Sequence, residues 1–292
     1  MIRHAEFFSY LKEREVIRLN KEAGDLFPWT EDEILQKYKF TNVRRENDTV
    51  SKELITRFYT PHFNDDPKTI LMNCALFRYF GTWEFAAAVG WQEYDTFDFE
   101  FIKDTAADRL AHKERTFTGA YVITNQGISA PKQEVVVDIF LKGLHEVAED
   151  IVAVSNVFQE WQETAKVMRK IKGFGGSGFM TKEILIDTTY TGFWDDKEGT
   201  GSLPSDWYDW TPIGPGALRG AARLLGDDSA KPVKEYSAFD VIMEAFGHQS
   251  TYWPSNYGLL SPTDIQFGMC EFDKYERVRL GQGRPRSRYR AP

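Results

Sequence analysis

Lys170-Ile171-Lys172-Gly173-Phe174-Gly175-Gly176-Ser177-Gly178-Phe179-Met180-Thr181-Lys182 joins two segments of helical periodicity. Upstream, Val147, Ile151, Val154, Phe158, Trp161, Ala165, Met168 and Ile171 recur at spacings of three and four, which predicts one long helix with a single apolar stripe. Downstream, Phe179, Glu183, Ile186 and Tyr190 share one helical face. Four glycines fall within six residues between them, and Ser177 is placed to cap the second helix. A phosphate-binding P-loop is excluded: a helix rather than a strand precedes the glycines, and Phe179-Met180 stands where the Lys-Ser/Thr pair belongs. Two readings stay open: a plain tight connection between packed helices, or a hairpin whose N–H groups hold a nucleic-acid phosphate.

The second reading resembles the helix-hairpin-helix of DNA glycosylases, where a Gly-x-Gly turn grips the backbone beside a flipped nucleotide. The expected fold is therefore all-α with minor β, two-lobed and helix-hairpin-helix DNA-glycosylase-like. One lobe is expected over about residues 1–115 plus 245–276, and the other over about 116–244 around the hairpin at 170–182. A basic arm is expected at 277–292. Gly173, Gly175, Gly176, Ser177 and Gly178 are the candidate phosphate contacts of the hairpin.

With 42% hydrophobic and 15% aromatic residues over 292 positions, the chain can bury a large core. It carries no apolar run of membrane-spanning length and no signal-peptide core, so a cytoplasmic protein is expected. Cys74 and Cys270 are too few for a disulfide framework, a zinc cluster or an iron–sulfur cluster. The net charge of −8 argues against a purely electrostatic nucleic-acid binder, yet from Arg277 to Pro292 there are six arginines and no acid. Glycines, prolines and Tyr289 among them suggest an extended arm along phosphates, with Arg284, Arg286 and Arg288 as contacts. A solvated tail is the bland alternative.

Further along, Pro215 suits the first turn of a helix through Leu225 that Gly226 ends, and Gly216 and Arg219 make its start a second candidate anion site. Residues 1–22 read as an amphipathic helix, Thr30 as an N-cap, and Phe117–Thr124 as the best strand-like run. The five histidines are scattered, and no His/Asp/Glu group has metal-ligand spacing, so neither metal nor cofactor is expected. His248 is the histidine to watch.

The string Trp29-Thr30 followed by Phe40-x-Asn42-x-x-Arg45-x-x-Asp48 resembles the helical domain named after phage 5-hydroxymethyluridine DNA kinases. That domain is related to the alpha-glutamyl/putrescinyl-thymine pyrophosphorylase group, which is tied to hypermodified pyrimidines in DNA. Cys270-Glu271-Phe272-Asp273-Lys274-Tyr275 and the arginines after it resemble the same family, in the family's order. Asn42, Arg45 and Asp48 are expected to contact the modified base, with Glu271 and Lys274 lining the same cleft; a helix start with surface ion pairs, and Lys274 as only a salt-bridge partner, are the alternatives. A kinase itself is excluded at this stage, because the sequence has no Walker A lysine.

Glycosylase logic instead asks for a carboxylate that stabilises oxocarbenium character as the N-glycosidic bond breaks. Asp209 fits the expected order best, then Asp206, with Asp187 at the end of the hairpin's second helix. A surface or capping role is the alternative for each. The expected function is a DNA glycosylase that flips and excises a hypermodified pyrimidine, such as glucosylated hydroxymethylcytosine, in defence against phage. The alternative is a transferase that adds an amino acid or polyamine to an activated 5-methyl-uracil. The expected partner is double-stranded DNA carrying modified pyrimidines, bound by a monomer without a membrane.

Overall fold

A computed structural model describes residues 2–176, 178–194, 203–229, 231–285 and 287–289. In chain order the helices are α1 (His4–Ala23), α2 (Glu33–Lys37), α3 (Thr49–Leu54), α4 (Pro67–Phe80), α5 (Trp83–Val89), α6 (Phe99–Ala111) and α7 (Lys132–Glu134). They continue with α8 (Lys142–His145), α9 (Ala148–Phe158), α10 (Trp161–Met168), α11 (Phe179–Thr188), α12 (Pro215–Leu224), α13 (Glu235–Tyr252) and α14 (Pro262–Arg279). Two π-helical stretches, Ile55–Tyr59 and Val135–Leu141, extend α3 and link α7 to α8. The fold is all-α. Among the described residues there is no strand, only an isolated antiparallel bridge between Tyr38 and Arg288.

Contacts divide the chain into two compact units, one of Met1–Asp48 with Tyr208–Pro292 and the other of Thr49–Trp207. The first unit packs α1, α2, α12, α13 and α14 around Phe7, Phe8, Leu11, Ile242, Met269 and Phe272. Its helix ends are set by local chemistry. Ser261 and Asp264 form a reciprocal capping box ahead of Pro262, and Pro215 opens α12. Close helix contact defines the core: a Cβ on Gly216 would lie 2.2 Å from Cys270 Sγ, and one on Gly220 would lie 2.1 Å from Met269 O. Gly216 thus serves helix packing between α12 and α14.

In the second unit α4 is the central helix, buried along nearly its whole length and packed against α11, α9 and α5. The predicted single helix upstream of the hairpin is broken. Gln159 adopts φ 52° and ends α9, and α10 starts two residues later. The Asp206 carboxylate caps α10 by accepting from Trp161 N (2.6 Å) and Gln162 N (2.8 Å). Trp207 stacks on Trp161. The strand expected at 117–124 is absent, since Thr118 N bonds Phe80 O and Val122 projects into solvent. In the first unit the N-cap of α2 is Asp32, which accepts from Ile34 N and Leu35 N. Thr30 sits two residues earlier, bonded to Glu13 and Asp32 N.

The hairpin turn owes its glycines to packing as much as to access. At Gly173 (φ 99°) a Cβ would lie 2.5 Å from the Phe140 ring, and at Gly175 one would lie 2.8 Å from Arg169 O. Gly176 is exposed with open space around it, and its carbonyl accepts from Arg169 Nη2. Gly178, not Ser177, is the N-cap of α11, without a side-chain cap bond; Ser177 lies outside the described residues.

Candidate nucleic-acid interface

The segment 40–48 in the first unit folds into a closed polar loop on α14. Asp48 is its hub, accepting from Asn42 N (2.9 Å) and from Arg45 Nη1 (2.5 Å), while Asn42 Nδ2 donates to Asn47 O. This loop rests on the α14 face that presents Phe267, Glu271 and Lys274 at intervals of four and three. The Arg45 guanidinium lies 4.9 Å over the Phe267 ring, and Thr41 N donates to Glu271 Oε2 (3.3 Å). Lys274 pairs with Glu271. Burial, the largest single influence, pulls the Lys274 ammonium down, but the Glu271 charge and hydrogen bond together with Cys270 hold the pKa above the ordinary lysine value. All five residues expected to meet a base, Asn42, Arg45, Asp48, Glu271 and Lys274, therefore lie in one cluster.

Beneath the cluster is a set of buried polar atoms that the sequence reading did not single out. Arg14 on α1 is 3% exposed and donates from Nη2 to Phe40 O (2.7 Å) and Thr41 O, while its Nε and Nη1 have no hydrogen-bond partner. Tyr10 Oη and Thr41 Oγ1 are likewise buried without one, and burial pushes the Tyr10 phenol well above its usual range. The available signal was Tyr10 and Arg14 one helical turn apart among apolar neighbours on α1. Carboxylates, guanidinium, ammonium and amide groups at one place can meet the alternating acceptors and donors of a pyrimidine edge.

The candidate phosphate contacts fall elsewhere. In the first unit Asp273, wholly buried, meets Arg219 (2.9 Å), Arg277 (3.3 Å) and Arg223 (3.4 Å). Asp273 is shared by three guanidiniums, Arg223 also lying 3.9 Å from Asp228, and Arg219 and Arg277 remain about one third exposed. Of the arm, Ser287 O accepts from Lys39 N and Tyr289 N donates to Lys37 O, which ties residues 287–289 alongside α2. Tyr289 packs on Trp29, and Arg288 lies over the Tyr38 ring. The arm expected to be extended and mobile is docked at these residues. Arg284 and Arg288 are exposed, and Arg286 lies outside the described residues.

The three acids nominated for glycosidic cleavage are dispersed. Asp187 is buried in the second unit, held by Arg78 and by Tyr59 Oη (2.7 Å). Asp206 caps α10, and Asp209 is exposed in the first unit. A cleft of about 1690 Å³ in the first unit, between α1, Trp29–Gln36 and α14, is lined by six carboxylates and only Arg3 and Arg279 as cations, so it repels phosphate. No described helix is long and apolar enough to cross a membrane.

Comparison with known proteins bears on the activity. A 5-hmdU DNA kinase of Bacillus phage SP10 is 27% identical over 241 residues, covering 76% of this chain and 36% of the relative. The chain therefore spans about a third of that relative's length. No solved structure matches significantly. The family model described as "5-hmdU DNA kinase, helical domain" matches residues 2–284. These findings correct the functional expectation. A kinase relative transfers a phosphoryl group, so base excision by a glycosylase, the attendant hydrolase chemistry and base flipping, and the amino-acid or polyamine transferase are all set aside. The exclusion of a kinase also fails, because a missing Walker A lysine speaks only for these 292 residues, and the match covers a third of the relative. The resemblance carried by Phe40–Asp48 and Cys270–Tyr275 is borne out: the chain belongs to the family of the 5-hmdU DNA kinase helical domain.

Proposed function

We propose that this chain is the DNA-holding domain of a system that phosphorylates the hydroxymethyl group of 5-hydroxymethyluracil in double-stranded DNA. The observation that carries the reading is the family match over residues 2–284, together with the polar cluster that gathers Asn42, Arg45, Asp48, Glu271 and Lys274 in the first unit. Arg45 and Lys274 offer donors to O4, the uracil acceptor that faces the major groove. Glu271 and Asp48 offer acceptors to the 5-hydroxymethyl hydroxyl beside it, the one group that thymine lacks. The surplus positive charge at Arg219 and Arg277 meets the phosphate backbone.

In the second unit the exposed Gly176 supplies a further phosphate contact on the hairpin, whereas Gly178 is buried with its N–H donating to Gly175 O. The chain covers 36% of the kinase relative, and we assign the phosphate donor to a site outside this helical domain.

The test is fluorescence anisotropy with duplexes that differ only by one 5-hydroxymethyluracil in place of thymine. Tighter binding to the modified duplex, by about tenfold for one discriminating contact of 1–3 kcal/mol, supports the reading. Equal binding of both duplexes sinks it. Incubation of the chain alone with labelled ATP and modified DNA should leave the DNA unlabelled; transfer of label would overturn the assignment of the donor site.

A further inference from the structure

His4, Glu244 and His248 offer one ligand atom each within 4.8 Å of one another, and theirs is the one such group of three or more among the described residues. We propose that they bind a zinc ion that clasps the first turn of α1 to α13. Glu244 and His248 are one helical turn apart on α13, so both side chains project from one face. His4, from the opposite end of the sequence, opens α1, and the preceding Arg3 N anchors that segment by donating to Leu224 O at 2.8 Å.

The spacing suits a tetrahedral ion. Bonds of about 2.0–2.1 Å to imidazole nitrogen and carboxylate oxygen set neighbouring ligand atoms roughly 3.3 Å apart. His4 Nε2 and Glu244 Oε1 are already 3.3 Å apart. The rings of His4 and His248 have centroids 5.0 Å apart, and His248 is exposed, so rotation of its side chain closes the third edge. His4 is fixed from behind: Tyr252 stacks on it and in turn stacks on Phe8.

The second observation is the state of the His4 imidazole. It is 8% exposed, and its Nδ1 is buried without any hydrogen-bond partner. A buried imidazole with a single polar neighbour is incompletely satisfied. Nε2 is the nitrogen that faces Glu244, so the cation takes the place of that hydrogen bond, and Nδ1 stays unpaired beneath it. Two imidazoles and a carboxylate, with no thiolate, select a borderline ion such as Zn²⁺ over Mg²⁺, which prefers oxygen. Three protein ligands leave the fourth position to water.

The experiment uses the full chain without an affinity tag, stripped with chelator, and titrated calorimetrically with ZnCl2. One ion should bind per chain and raise the melting temperature. Glu244→Gln and His248→Ala should each weaken binding by about tenfold or more. Both side chains are largely exposed, so circular dichroism should show both variants folded. Co²⁺ in place of Zn²⁺ should give the visible absorption of a four-coordinate site, lost in His248→Ala. Absence of binding at micromolar zinc, binding unchanged in both variants, or equal stabilisation by Mg²⁺ would each overturn the proposal.

Discussion

Arg78 and Asp187 form a two-pronged ion pair inside the second unit, with Arg78 Nε and Nη2 both donating to one carboxylate and Tyr59 Oη adding a third bond at 2.7 Å. Arg78 is 3% exposed and Asp187 is not exposed at all. Removing one partner strands a charge away from water, so Arg78→Met alone should cost about 3–5 kcal/mol. Replacing both, as Arg78→Met with Asp187→Leu, should cost much less. Urea denaturation of the two variants checks this, and equal losses would refute it.

The hairpin glycines should divide by what surrounds them. Gly173→Ala forces a methyl group into Phe140 and Tyr79 and should lose about 1–3 kcal/mol by overpacking, in addition to the strain of its positive φ. Gly176→Ala, also at positive φ but in open space, should lose only the strain of about 1–2 kcal/mol. Midpoints of chemical denaturation rank the two variants directly.

At the polar cluster, Arg45→Ala and Lys274→Ala should each reduce the preference for the modified duplex, toward the ratio of one. Arg219→Ala should instead weaken binding to modified and unmodified duplexes alike and flatten the dependence on salt. Anisotropy titrations at two salt concentrations separate the two classes of effect.

Asp264 should titrate unusually high. Burial, aided by the negative charge of Glu46, raises its carboxyl to about 6 against the opposing pull of the Ser261 bonds and Arg44. Because the folded value exceeds the unfolded one, its contribution to stability is fully present below about pH 4 and is lost as pH rises through about 6. Carbon-detected NMR of the carboxyl should give a midpoint near 6, and Asp264→Asn should flatten the pH profile of the melting temperature between those limits.

Much of this architecture was legible where the determining chemistry is local. Pro215 announced a helix start, since a fixed φ acts within one turn. The break at Gln159 was not legible, because the apolar stripe runs on through it, and the restart of α10 depends on Asp206, far along the chain. Thr30 lost the cap of α2 to Asp32 because two equivalent acceptors sit two residues apart. Among the site residues, Asn42, Arg45 and Asp48 have i+3 spacings that close a loop, whereas their seat on Phe267 and Glu271 is a tertiary fact. The excision reading arose from likeness of one turn to another, and a turn reports how a backbone is held rather than which bond is broken.

Gly220 sets the backbone of α12 against Met269 O of α14, and Gly216 leaves room for the Cys270 side chain between the two helices. Helices in such contact cannot slide independently, so Arg219 on one and Glu271 and Lys274 on the other move as a single plate. Under the proposed function, the angle at which the sugar–phosphate track crosses α12 then fixes the angle at which the pyrimidine is offered to α14. Duplex curvature and groove width would become part of what the domain discriminates, alongside the hydroxymethyl group itself.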